Sequence, residues 1–155
     1  MVVNPLAVVV GEHDITSSED GTEHAVCRTV SHPNYNSPSQ LNNDFAILHL
    51  STPVQIGTRA APACLATTSM AGDFLAEKPL TVSGWGALQE GQGGPGVLHS
   101  VDVPGVTNAV CNEAYNGAIT DKMLCAGEPT GGIDSCQGDS GGKRQYYFKS
   151  YNTIL

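Results

Sequence analysis

Asp134-Ser-Cys-Gln-Gly-Asp-Ser140-Gly-Gly142 sets one serine in a glycine-rich turn, where backbone amides crowd around its hydroxyl. Glycine accepts backbone angles that other residues resist, which such a turn needs. A serine hydroxyl is a poor nucleophile until a base takes its proton. The oxyanion formed by its attack on a carbonyl then needs hydrogen-bond donors, and the N–H groups of Gly138 and Ser140 are candidates. On its own the stretch reads equally well as a surface Gly/Ser loop, so its neighbours have to decide.

Working outward, short β-type runs recur along the chain: Leu6 to Gly11, His24 to Ser31, Asp44 to Leu50, Leu80 to Trp85, Val97 to Val106 and Lys122 to Ala126. Turn residues separate them, a pattern that predicts an antiparallel barrel or sandwich. Val97, His99, Val101 and Val103 alternate with Leu98, Ser100 and Asp102, as in a half-buried strand. One short helix is expected, capped by Thr107 or Asn108, running through Val110, Cys111, Ala114 and Tyr115, and stopped at Asn116-Gly117. Ser51 to Asp73 and Leu88 to Pro95 read as long connections.

Four further segments share one logic with the serine turn. Asn42-Asn43-Asp44-Phe-Ala-Ile-Leu, Ser83-Gly-Trp85-Gly, Cys111-Asn-Glu-Ala-Tyr115 and Met123-Leu-Cys125-Ala-Gly stand in the order and spacing of the chymotrypsin and trypsin family, and the serine turn resembles that family's active-site segment. The resemblance covers roughly Val8 to Gly142. It implies an all-β fold, a trypsin-like antiparallel double β-barrel that is partial here, with the later part of the first barrel, most of the second and one short helix. It also implies a serine endopeptidase that cleaves after Arg or Lys.

Carried over residue by residue, the resemblance makes Ser140 the nucleophile and Asp44 the buried carboxylate that orients a histidine and stabilises its charged form. Gly138 and Ser140 supply the oxyanion hole. Asp134 matches the base of the substrate pocket, where a buried carboxylate selects a cationic side chain because an unpaired buried charge costs about 3 to 5 kcal/mol. Asp139 matches the acid that pairs with a new N-terminal amine after zymogen cleavage. The chain begins Met1-Val-Val-Asn and has no Ile-Val-Gly-Gly, so a zymogen-like arrangement of the Gly138 and Ser140 amides is expected. Cys111 and Cys125 are expected to form a disulfide. Cys64 and Cys136 match half-cystines whose partners are not in this sequence, Cys27 has no counterpart, and a Cys27–Cys64 bond stays open. Glu12 and Glu23, with Glu19 or Asp20, resemble the family's calcium loop with the outer spacing off by one, and carboxylate oxygens at such intervals suit calcium. Plainer readings stand beside these: an Asn-Asn-Asp turn ahead of a strand for Asp44, a solvated loop aspartate for Asp134, and a solvated acidic turn for the glutamates. No cofactor is required; structural calcium is the sole expected ion.

The base is the gap. The family's histidine lies in Ala-Ala-His-Cys, and none of the five histidines here has those neighbours. His13 and His32 match other stretches of the family and read as structural, His24 lacks the family neighbours, and His49 and His99 follow Asp44 on strands, where a hydrogen-bonded or surface histidine is usual. The resemblance therefore places the histidine upstream of Met1. Past Gly142 the family continues with a strand and a Ser-Trp-Gly segment that build the pocket wall, where Lys143 to Leu155 stands instead. The isolated chain is expected to be nearly inert, which admits two rivals: a catalytically dead binding module, or a truncated fragment with no function of its own.

Composition agrees with a folded, turn-rich domain, 40% hydrophobic and 14% charged, which argues against disorder. A net charge of −8 disfavours nucleic acid and anionic lipid as partners. Protein or peptide substrates and protease inhibitors are the expected partners of a monomer. No apolar run approaches the length of a membrane span, and Leu6 to Val10 lacks the basic flank and cleavage site of a signal peptide. Five cysteines suggest an oxidising, extracellular setting. Residues 143–155 hold three of the seven Lys and Arg, four of the nine aromatics and no acid. That break divides the sequence into a peptidase-like part, 1–142, and a tail outside the family, 143–155.

Overall fold

The structure is a computed structural model, and it describes residues 6–17, 20–65, 67, 78–89, 91–128, 138–140, 143–148 and 151–154, the last two spans by their backbone alone. The chain divides into two compact units, Met1–Pro62 and Ala63–Leu155.

In the first unit, β1 (Ala7–Val10), β2 (Thr22–Ser31) and β3 (Ala46–Leu50) form an antiparallel sheet in the order β1-β2-β3. β2 and β3 pair from Val26 opposite Leu50 to Ser31 opposite Ala46, with a bulge where Cys27 is the extra residue. Apolar residues of these strands have little to pack on: Val9, Ile47 and Leu48 are exposed, as are Leu6, Ile15, Phe45 and Ile56 around them. Among the described residues of this unit the buried side chains are polar ones, His24 and Asn42.

The second unit holds a five-stranded sheet in the order β6-β5-β4-β7-β8. β4 (Pro79–Gly84) and β5 (His99–Val106) pair in strict register, Leu80 opposite Val103 and Val82 opposite Val101. Leu80, Val82 and Val103 are buried together, with Val101, Leu124 and Ala126 packed against them. The alternation read from the sequence is therefore the one that fills this core, each inward residue on β5 facing one on β4. Removing a side chain such as Leu80 from water contributes about 1.5 to 3 kcal/mol.

Helix α1 (Asn108–Ala114) begins where Thr107 accepts a hydrogen bond from Val110 N at 3.3 Å and ends ahead of Asn116 and Gly117, both at positive φ. Thr107 is thus the cap of the two candidates. Asn108 instead donates its side-chain amide to the carbonyls of Thr120 and Met123. β6 is shorter than expected, Cys125–Ala126. Residues 120–123 are taken up by a turn in which Met123 N donates to the Thr120 carbonyl and Lys122 N to its hydroxyl.

Residues 143–155, set apart by composition, carry two strands of this sheet. β7 (Lys143–Phe148) pairs antiparallel with β4, and β8 (Tyr151–Ile154) pairs with β7.

Candidate active site

Three described residues of the serine turn are Gly138, Asp139 and Ser140, with Ser140 exposed and Asp139 half-buried. Gly138 sits at φ +99°, in the region that favours glycine. The Asp139 carboxylate turns away from solvent and accepts a hydrogen bond from Gly86 N at 2.8 Å. Fifty-three residues separate that donor from its acceptor, so the contact ties the serine turn to the segment just after β4. An N–H bonded to a carboxylate is among the stronger hydrogen bonds.

Glycine is what permits this approach. A Cβ at Gly84 or Gly86 would collide with the Asp139 carboxylate, and one at Gly138 would stand 3.0 Å from the Gly86 Cα. Ser83-Gly-Trp85-Gly is therefore a cradle for Asp139, a role the sequence reading did not assign. The signal available was a glycine on each side of Trp85.

Asp44 belongs to the first unit and is exposed, just ahead of β3. The turn before it is built by its neighbours. Asn42 is 2% exposed and donates to the Ser37 carbonyl at 2.5 Å. Asn43, at φ +54°, donates to the carbonyls of Asn34 and Ser37 at 3.0 and 3.1 Å. The two asparagines make the turn read from the sequence, and Asp44, which the resemblance implies to be buried, is exposed beyond it.

The histidines near that turn have structural partners. His24 is buried, its Nδ1 2.9 Å from the Thr52 hydroxyl. His32 Nδ1 accepts from Asn34 N at 3.2 Å, and its ring centroid lies 4.8 Å from that of Phe45. His49 and His99 are exposed on strands. Asp134 and Cys136 lie outside the described residues.

Cys111 and Cys125 are joined in a disulfide with Cα atoms 6.4 Å apart, linking α1 to β6. Cys27 and Cys64 are free and exposed, so the pairing left open between them is not made, and the Cys27 thiol donates to the His49 carbonyl at 3.3 Å. Glu12 is half-buried and Glu23 exposed on β2, and the described residues contain no group of three or more His, Cys, Asp or Glu placed to hold a metal ion. A cleft of about 440 Å³ in the first unit is lined by Val10, His24, Ile56 and Arg59 among others.

The family model described as Trypsin matches residues 2–143. The chain belongs to the trypsin family. Among curated trypsin-like relatives, serine protease 1 of Rattus norvegicus is 41% identical over 140 residues, covering 88% of this chain and 54% of that protein. Trypsin of Xenopus laevis is 40% identical over 140 residues, covering 88% and 55%. The vitellin-degrading protease of Bombyx mori is 44% identical over 126 residues, covering 79% and 46%. The chain thus spans about half the length of these relatives. Among the described residues the antiparallel sheets and one short helix are a partial trypsin-like β fold. Among the described residues no helix is long and apolar enough to cross a membrane.

Proposed function

We propose that this chain carries the acylating half of a serine endopeptidase that cleaves after Arg or Lys, and that its histidine comes from a segment outside the 155 residues. Asp139, held by Gly86 N, is the observation that carries the reading. A carboxylate anchored one residue before Ser140 fixes the turn from which the Ser140 hydroxyl and the Gly138 and Ser140 amides act. A plain surface Gly/Ser loop has no need of an acid turned inward against a glycine cradle.

In this reading Ser140 Oγ attacks the scissile carbonyl carbon while its proton passes to the histidine. The carbonyl oxygen becomes an oxyanion that accepts hydrogen bonds from Gly138 N and Ser140 N. Collapse of the intermediate expels the amine, which takes the proton back from the imidazolium, and water then hydrolyses the acyl-serine by the same steps. Asp44 holds the imidazole in orientation and stabilises its charged form. Asp134, six residues before Ser140, binds the cationic side chain ahead of the scissile bond. Protein and peptide substrates, inhibitors that mimic them, and a secreted setting follow. The Cys111–Cys125 disulfide supports that setting.

The test joins this chain behind a segment that opens on a free Ile-Val-Gly-Gly amine and carries Ala-Ala-His-Cys, and puts a segment carrying Ser-Trp-Gly in place of residues 143–155. It measures hydrolysis of peptide substrates ending in Arg, Lys or Phe. Expected is turnover of the Arg and Lys substrates with little of Phe, and a loss on the order of 10⁶ in kcat for Ser140→Ala. Equal turnover of all three would remove the specificity assignment. Turnover unchanged in Ser140→Ala would remove the nucleophile. The rival, a binding module, is favoured by the missing family histidine and predicts tight substrate or inhibitor binding with no turnover in the joined protein.

A further inference from the structure

Residues 12–23 carry five carboxylates, Glu12, Asp14, Glu19, Asp20 and Glu23, and neither Lys nor Arg. A segment so charged favours a nearby cation, and a calcium ion would require six to eight oxygen ligands around it. Three of the described carboxylates, Glu12, Asp14 and Asp20, are engaged otherwise. One Glu12 oxygen accepts from His13 N at 3.1 Å. The Asp14 carboxylate accepts from Thr16 N at 2.9 Å and from the Thr16 hydroxyl at 2.6 Å. Asp20 accepts from the guanidinium of Arg59, a side chain that cannot ligate a metal. Glu23 is exposed on β2, opposite Val9. Glu19 lies outside the described residues, and the others bring no three such groups together, so the described residues do not fit a calcium site.

Arg59 reaches the segment from a tight turn closed by Gly57 N donating to the Ala60 carbonyl at 2.9 Å. Its Cβ lies 3.2 Å from where a Cβ on Gly11 would stand, so the arginine backbone rests directly beside the residue preceding Glu12. Gly21, next to Asp20, approaches Glu12 closely, a Cβ there falling 3.0 Å from the second Glu12 oxygen. Asp20 and Glu12 are thus drawn to one place, with Arg59 beside both. The hydrogen bond and charge of Asp20, and the charge of Glu12, all favour the protonated guanidinium.

We propose that Arg59, rather than a divalent cation, is the counter-ion of the acidic segment 12–23, so that this loop closes without calcium. The inference concerns the first unit alone and does not rest on the chemistry at Ser140.

Thermal unfolding and calcium titration calorimetry of the full 155-residue chain at low ionic strength test it, since an exposed pair is screened by salt. The wild-type chain should show neither heat of binding nor a change in Tm up to roughly 10 mM calcium, above the range of weak extracellular sites. Arg59→Gln should lower Tm by about 1 to 4 °C, Arg59→Lys by less, and Arg59→Gln should have no added effect in an Asp20→Asn background. Wild-type binding of calcium below about 1 mM would overturn the proposal. So would an Arg59→Gln loss that is the same with and without Asp20.

Discussion

Asp139 and Gly86 show how a single contact can carry more than its sequence positions suggest. The Cβ of Gly86→Ala would fall inside the space of the Asp139 carboxylate, and overpacking of this kind costs about 1 to 3 kcal/mol. Urea unfolding of Gly86→Ala should show that loss, and a variant as stable as the wild type would contradict the cradle. A second residue-level prediction concerns Asp14, whose carboxyl is held below its ordinary value of 3.8 by the hydroxyl and amide of Thr16. Because the folded value is depressed, whatever stability this group contributes is present above pH 3.8 and is lost as pH falls below it through the folded value. Carboxyl NMR titration should find the Asp14 midpoint below 3.8 and show it rising in Thr16→Val. Ser140, Asp44 and Asp139 were legible as candidates because their neighbours form recognisable segments. Gly86 and Arg59 were not. Each acts through a partner 53 or 39 positions away, and nothing in a local motif announces a contact at that separation.

At the scale of elements, β4, β5 and α1 could be read in advance because local pattern and final packing agree. The alternation along β5 puts Val101 and Val103 against Val82 and Leu80, and Thr107 and Asn116-Gly117 bracket the helix as capping chemistry requires. β6 was overestimated since Thr120 turns the chain with its own hydroxyl and carbonyl, a side-chain competition that a run of β-type residues conceals. The pairing of residues 143–148 with β4 was not foreseen either. Composition marks a break in residue usage, while sheet pairing depends on backbone groups that every residue carries. The disulfide between α1 and β6 closes 14 residues. Its removal by Cys111→Ser with Cys125→Ser should cost about 3 kcal/mol in denaturant unfolding. An unchanged midpoint would show that the Asn108 and Asn112 side-chain bonds hold this segment without it.

For the molecule as a whole, the two units differ in how much apolar surface they bury. The second closes Leu80, Val82 and Val103 into a core, whereas the first leaves Val9, Ile47 and Leu48 exposed on its sheet and Phe45 exposed beside it. Apolar surface on a sheet with open edges favours association. The isolated chain should bind a hydrophobic dye and self-associate as concentration rises in light scattering. A soluble monomer that unfolds cooperatively would contradict this. The same incompleteness bears on chemistry, since the chain spans about half the length of its relatives and the rings of His24 and His32 are engaged by structural partners. Labelling with a fluorophosphonate, followed by intact mass, tests the central claim most directly. It compares the 155-residue chain alone, the chain joined behind the Ile-Val-Gly-Gly and Ala-Ala-His-Cys segment with Ser-Trp-Gly in place of residues 143–155, and the joined Ser140→Ala variant. The account predicts no adduct on the chain alone, one adduct per joined molecule, and none on the variant. Equal labelling of the chain alone, or no labelling of a folded joined protein, would contradict the claim that Ser140 is a protease nucleophile awaiting its base.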